Sequence, residues 1–303
     1  MYFNFKKMRE TQFWSKFISD SLFNSEKNFG NFLYTLKQAT GVSISNGIDE
    51  LYFSNSWTGE NAMVVKGTFD RNKINNYVNK DTTFSRINYP NNVVVYNLST
   101  QHFYFYFKDD FTVCASNYIK QMEGTFSVKD TSQTGLLSNP ESMAVIEMIK
   151  YKDNLWMMSD QRLFIRGIFE NLSQMNKPEK EKTPGSLPMD SLFAADTSKS
   201  SESAISDLYQ KIKAVSFSLK MTDKLDLVMQ NECEDVNSAK DLKNRIDGIV
   251  ALAKLSAQLS MKKQSSILKV LDKLNSSVNE KTLFLEMNLD DQQITDIRKQ
   301  KVL

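Results

Sequence analysis

Apolar and polar residues follow two different periods along this chain. Alternation with period two predicts strands. These lie at residues 2–5, 48–54, 62–68, 83–88, 93–98, 102–108, 111–116, 155–158, 215–221, 224–232 and 281–288. Spacing of three and four predicts helices. These lie at residues 9–23, 26–39, 71–78, 117–123, 139–151, 161–174, 204–213, 236–260, 266–274 and 292–301. The mixture predicts the α+β class.

Turn and capping residues support these boundaries. Asp70 and Asp290 stand where a strand ends and a helix begins, and Gln293 has capping-box spacing from Asp290. Asn91-Asn92 and Asp109-Asp110 separate pairs of strands, as hairpin turns do.

The order helix–strand–strand–helix occurs twice, and in both cases the second strand runs into an acidic helix start, at Asp70 and at Asp235. This repeated order of elements predicts two tandem α+β modules with antiparallel sheets and helices packed mainly on one face. The alternative explanation is coincidence, because acidic residues are generally preferred at helix starts. Residues 176–202 are rich in Pro, Ser and Lys and are typical of a linker. The predicted organisation is a first module at 1–130, connecting elements at 131–175, the linker at 176–202 and a second module at 203–303.

Several short motifs resemble a family of bacterial envelope proteins of unknown function. They are Thr40-Gly41-Val42, the stretch 47–53 and Lys66-Gly67-Thr68-Phe69-Asp70. Further similarity covers the strand pairs 103–107 with 111–115 and 215–219 with 225–232, and a helix opening near Ser238-Ala239. The resemblance implies an envelope location. It carries no catalytic residue to this chain, and the secretion or lipoprotein signal usual in the family is missing from the given start.

Composition and charge exclude several classes of function. The 38 Lys and Arg nearly balance the 36 Asp and Glu, giving a net charge of +2, which argues against a nucleic-acid binder. One His and two Cys leave few ligands for a metal site of the usual kind, so no metal and no cofactor is predicted. Nucleotide-binding and serine-hydrolase motifs are missing. No apolar stretch has the length of a membrane span.

The remaining polar candidates have structural explanations. Paired acids such as Asp49-Glu50 and Asp290-Asp291 fall at turns or helix starts, where carboxylates stabilise the unpaired amides of the first turn. An enzyme with a carboxylate-based site formed only in three dimensions stays a hypothesis. Cys114 and Cys233 are interpreted as buried free thiols, and a disulfide between them is the alternative.

The strongest local feature is the aromatic stretch 103–107, in which Phe and Tyr alternate. On a strand His102, Tyr104 and Tyr106 share one face. That face is either a partly exposed side of a central strand or a binding surface for a glycan, a peptide or a partner protein.

The resemblance implies, together with the missing catalytic motifs, a non-enzymatic, envelope-associated binding or scaffold protein. One alternative is an accessory subunit that docks onto a protein partner through the aromatic sheet face. The expected location is the periplasm or cell envelope if an N-terminal signal has been trimmed, and the cytoplasm otherwise.

Overall fold

The structure is a computed structural model that describes residues 1–18, 27–56, 59–99, 102–128, 138–174, 209–259 and 270–299. In these residues twelve strands form one antiparallel sheet, which confirms the α+β class. The strands are β1 Tyr2–Asn4, β2 Ile48–Asn55, β3 Asn61–Gly67, β4 Phe84–Asn88, β5 Val94–Leu98, β6 Phe103–Phe107, β7 Thr112–Ser116, β8 Leu155–Ser159, β9 Ile212–Met221, β10 Leu225–Cys233, β11 Leu274–Asn279 and β12 Thr282–Leu289. Their order is β11-β12-β10-β9-β8-β1-β2-β3-β7-β6-β5-β4.

Nine α-helices fall within the described ranges. They are α1 Phe5–Arg9, α2 Gln12–Phe17, α3 Lys27–Thr40, α4 Arg71–Lys80, α5 Ile119–Thr125, α6 Pro140–Met148, α7 Arg162–Gln174, α8 Val236–Leu259 and α9 Asp291–Lys299.

The chain divides into two compact units that are interleaved in sequence. The first comprises Met1–Ser138, Lys152–Trp156 and Lys220–Asp223, and the second comprises Asn139–Tyr151, Met157–Leu219 and Lys224–Leu303. The whole of the predicted linker at 176–202 lies outside the described residues. The tandem-module arrangement stays a prediction.

The first unit has its main core on one face of the sheet. Leu51, Val65 and Val113 have no exposed surface, and the cross-strand register places their side chains on the same face. Phe105 lies on this face, 6.2 Å from the ring of Phe84. Asp70 caps α4 by accepting hydrogen bonds from the amides of Asn72 and Lys73, as the sequence predicts.

The opposite face of the first unit is covered at one end by α5. Met122 of this helix packs in a buried cluster with Val95, Tyr106 and Cys114. On the Phe105 face, the Tyr96 hydroxyl donates a 2.7 Å hydrogen bond to Asn75 of α4, so helices contact both faces of the sheet here. At β1, β2 and β3 the same face carries the partly exposed side chains described below.

The second unit buries its core between α8 and strands β9, β10 and β12. Val215, Leu242 and Leu283 belong to this cluster and are at most 3% exposed. The other face of β10 carries buried polar side chains. Among them, Gln230 accepts a hydrogen bond from the amide of Lys150 and donates one to the carbonyl of Met148, each 3.0 Å long.

The second unit differs from the sequence-based predictions in two places. Residues 274–279 form strand β11, which the sequence pattern does not predict and which begins at the last residue of the helix expected at 266–274. All six residues pair with β12, although their Asn and Ser content gives little strand signal. Strand β9 begins at Ile212, inside the helix expected at 204–213, of which residues 204–208 lie outside the described part.

Helix α8 begins at a titratable cap, which makes its stability depend on pH. Asp235 accepts a 2.8 Å hydrogen bond from the amide of Ser238, and hydrogen bonding from Ser238 lowers the pKa of Asp235 from its usual 3.8. A lowered pKa in the folded state stabilises the protein above pH 3.8, and this stabilisation is lost as the pH falls through the folded value.

Asp235→Asn retains a capping oxygen but removes this titration. We expect the difference between the thermal unfolding midpoints of wild type and variant to stay constant between pH 5 and 7. Below pH 4 this difference should become small. Circular dichroism melts at several pH values measure this, and parallel curves down to pH 3 would contradict the role of the Asp235 charge.

Candidate functional site

The structure changes the binding surface expected on strand β6. His102 lies exposed in the turn before the strand, with φ at 48°. Tyr104 is half-buried against the cluster under α5. Tyr106 is 3% exposed, and this burial raises its pKa. Its hydroxyl shares a 2.9 Å hydrogen bond with Thr125. The expectation of an exposed face is therefore wrong for Tyr106, because α5 packs over it.

A group of partly exposed aromatic rings occurs elsewhere on the same face of the first unit. Tyr2 of β1 pairs with Tyr52 of β2 on one side and with Trp156 of β8 on the other. The ring centroids are 4.9 Å apart for Tyr2 and Tyr52 and 6.0 Å apart for Tyr2 and Trp156. We call these three side chains the ring row. Tyr52 is 38% exposed and the other two are partly exposed.

A carboxylate fixes the two tyrosine hydroxyls of the ring row. The Tyr52 hydroxyl donates to Glu50 Oε2 at 3.0 Å, and the Tyr2 hydroxyl donates to Glu50 Oε1 at 3.3 Å. Asn4 Nδ2 donates to the Tyr2 hydroxyl at 3.0 Å. Burial and the neighbouring Glu50 raise the pKa of both tyrosines. Both phenols are therefore neutral donors at physiological pH.

An ammonium group lies beside the ring row. Lys66 Nζ is 5.7 Å from the centroid of the Tyr52 ring and 3.9 Å from Glu50 Oε2. Lys66 reaches this position because it pairs directly with Glu50 across β2 and β3. Its side chain is 50% exposed, so its pairing with Glu50 is a weak surface interaction.

The ring row follows from strand alternation, but its assembly depends on long-range pairing. The sequence places Tyr2 and Asn4 on one face of a strand, and likewise Glu50 and Tyr52. Trp156 joins them only because β8 pairs with β1 across more than 150 positions of the sequence. No local signal indicates that partner.

The paired acids have structural partners. Asp49 pairs with Arg9 at 2.6 Å, and Asp110 pairs with Arg71 at 3.1 Å. Asp290 forms the predicted capping box with Gln293, with both hydrogen bonds 2.9 Å long. The hypothesis of a carboxylate-based enzyme stays a prediction.

One acid of the second unit is buried. Glu232 accepts a 2.5 Å hydrogen bond from the Thr282 hydroxyl and pairs with Lys281 at 2.8 Å. This pairing raises the pKa of Lys281. Glu232 therefore has two polar partners, which come from the turn between β11 and β12 and from the start of β12.

Both cysteines are free and buried, as the first of the two interpretations expected. Burial raises the pKa of Cys114, and burial together with Glu232 raises that of Cys233 to about 12. A thiol held protonated is a poor nucleophile, so both behave as small apolar core residues.

The described residues lack both a metal-binding cluster and a membrane-spanning helix. They contain no group of three or more His, Cys, Asp or Glu side chains placed to hold a metal ion. Their helices include none with the length and apolar character needed to cross a membrane.

Comparison with known proteins finds similarity at the level of the fold. No family model and no curated protein matches the chain. Crystal form III of TP0453, a membrane-associated lipoprotein of Treponema pallidum, is similar with a TM-score of 0.50 and 9% identity, over 98% of this chain and 92% of that one. Crystal form IV of the same protein has a TM-score of 0.47 and 10% identity, over 99% and 90% of the two chains. The similarity to crystal form III shows that this chain and TP0453 share an α+β fold.

Proposed function

We propose that this protein is a non-enzymatic binding protein associated with the bacterial cell envelope, and that the ring row is its binding surface. The envelope association is supported by the sequence motifs and by the fold shared with the lipoprotein TP0453. The binding surface is supported by one observation: three aromatic rings on adjacent strands lie side by side on a sheet face where Tyr52 is 38% exposed, and the two tyrosine hydroxyls are held by Glu50.

The physical argument concerns the cost of exposing aromatic rings to water. A ring that only fills a core is removed from water, as Phe105 is on the opposite face. Tyr and Trp side chains that stay accessible and rigid are the residue types that dominate the energetics of binding surfaces. Hydrogen bonds to Glu50 and Asn4 hold Tyr2 in place, so little conformational entropy is lost when a ligand contacts it.

The test is cosedimentation with a washed bacterial envelope fraction that contains both membrane and cell wall. We expect wild-type protein to bind, and the double variant Tyr52→Ala/Trp156→Ala to bind at least about 10-fold more weakly, because each lost aromatic anchor costs about 1 kcal/mol or more.

Tyr118→Ala is the matched control, because Tyr118 is 40% exposed in the same unit but lies outside the ring row. It should bind as wild type does. Equal binding of wild type and the double variant would overturn the assignment of the surface, and absence of binding by wild type would overturn the proposed function.

A further inference from the structure

Tyr52 of the ring row and Glu50 already lie beside an ammonium group that belongs to the protein itself. Lys66 Nζ lies within cation–π distance of the Tyr52 ring and 3.9 Å from a Glu50 oxygen. The faces of aromatic rings carry negative electrostatic potential, and a carboxylate beside them adds a full negative charge. This part of the surface therefore has the chemistry that attracts an organic cation.

We propose that the ring row and Glu50 form a binding site for a methylated ammonium group, carried by a small solute of the choline class. The inference rests on the proposed function, because it names the ligand class of the same surface. Trp156, Tyr2 and Tyr52 supply the ring faces, and Glu50 supplies the counter-charge.

The hydrogen bonds of Glu50 favour a methylated ammonium over a primary one. Each carboxylate oxygen already accepts a hydrogen bond from a tyrosine hydroxyl, which uses part of the capacity of Glu50. A primary ammonium must replace three hydrogen bonds to water when it leaves solvent, whereas a quaternary ammonium has none to replace. Its methyl groups gain instead from contact with the rings.

Lys66 is the group that a ligand has to displace. Its distance of 3.9 Å from Glu50 and its 50% exposure describe an ion pair that contributes little stability. The side chain can move into solvent on its four-carbon stem at small cost. Lys66 therefore competes with the ligand, and its removal should strengthen ligand binding.

Saturation-transfer NMR on the full chain tests this with choline chloride and with 3,3-dimethylbutan-1-ol, which has the same shape without the charge. We expect choline to bind more tightly than the neutral analogue. Trp156→Ala, Tyr52→Ala and Glu50→Gln should each weaken choline binding about 2- to 5-fold, the range of an exposed cation–π or ion-pair contact. Lys66→Ala should strengthen it by about the same factor, and Tyr118→Ala should leave it unchanged.

Each opposing result has a distinct meaning. Equal affinity for choline and its neutral analogue, with both lost in Tyr52→Ala, would overturn the cation site but retain the ring row as an apolar binding surface. Choline binding that is absent in wild type, or that is unaffected by the ring variants, would overturn the inference, while envelope cosedimentation still decides the proposed function separately. Thermal melts of every variant identify a loss of binding that comes from unfolding.

Discussion

Gly67→Ala should destabilise the protein by about 3 kcal/mol, because a side chain at this position has no space. Gly67 is the last residue of β3, and a Cβ atom there would lie 2.2 Å from the carbonyl oxygen of Gly47. That oxygen accepts a 3.0 Å hydrogen bond from the amide of Thr68, so the two backbone segments are held together. Gly47 has φ at 88°, a conformation that favours glycine, and this limits how the turn can move away.

Urea denaturation followed by circular dichroism measures the effect of Gly67→Ala on the free energy of unfolding. Gly248→Ala is the matched control, because Gly248 lies within α8 and a Cβ atom there meets nothing within 4 Å. The control should stabilise the protein by up to about 1 kcal/mol through helix propensity. A loss below about 0.5 kcal/mol in Gly67→Ala would show that the Gly47 turn yields easily.

Asn231→Leu should stabilise the protein by about 1–3 kcal/mol, which is the reverse of the usual effect of a core substitution. Asn231 has no exposed surface, and strand register places it beside Leu283 on the apolar face of β10. Among the described residues, neither its side-chain oxygen nor its side-chain nitrogen has a hydrogen-bond partner. Leucine has a similar shape and removes the cost of burying an unpaired amide.

The adjacent residue provides the control for this prediction. Gln230 is 3% exposed on the opposite face of β10, and its amide bonds the backbone of Met148 and Lys150. Gln230→Leu should destabilise the protein by about 1–3 kcal/mol or more, because it leaves those two backbone groups unpaired. Opposite signs for the two substitutions in urea denaturation support this account. Destabilisation by both would show that the amide of Asn231 stabilises the core.

The local pattern predicts most of the strands to within two residues. Strand β7 is expected at 111–116 and observed at Thr112–Ser116, because alternation and the flanking turn residues are local properties. The same holds for α4, whose start is set by the hydrogen bonds of Asp70. Strand β11 is different, since its Asn and Ser residues are ordered by pairing with β12 and not by their own preference.

The candidate site shows the same division. Alternation identifies which side chains share a face of β6, but the position of α5 decides that Tyr106 is buried. The accessible rings lie instead at Tyr2, Tyr52 and Trp156, which are distant in sequence. An aromatic surplus in the composition therefore indicates that a ring surface can form, without indicating which strand carries it.

The sequence by itself determined the α+β class, the helix starts at Asp70, Asp235 and Asp290, and the alternating faces of the strands, because each depends on residues a few positions apart. The tertiary structure decided which strands became neighbours, which face α5 covered and which rings met around Glu50. These features depend on the total free energy of burying surfaces from distant parts of the chain. The local spacing of apolar residues does not predict that free energy.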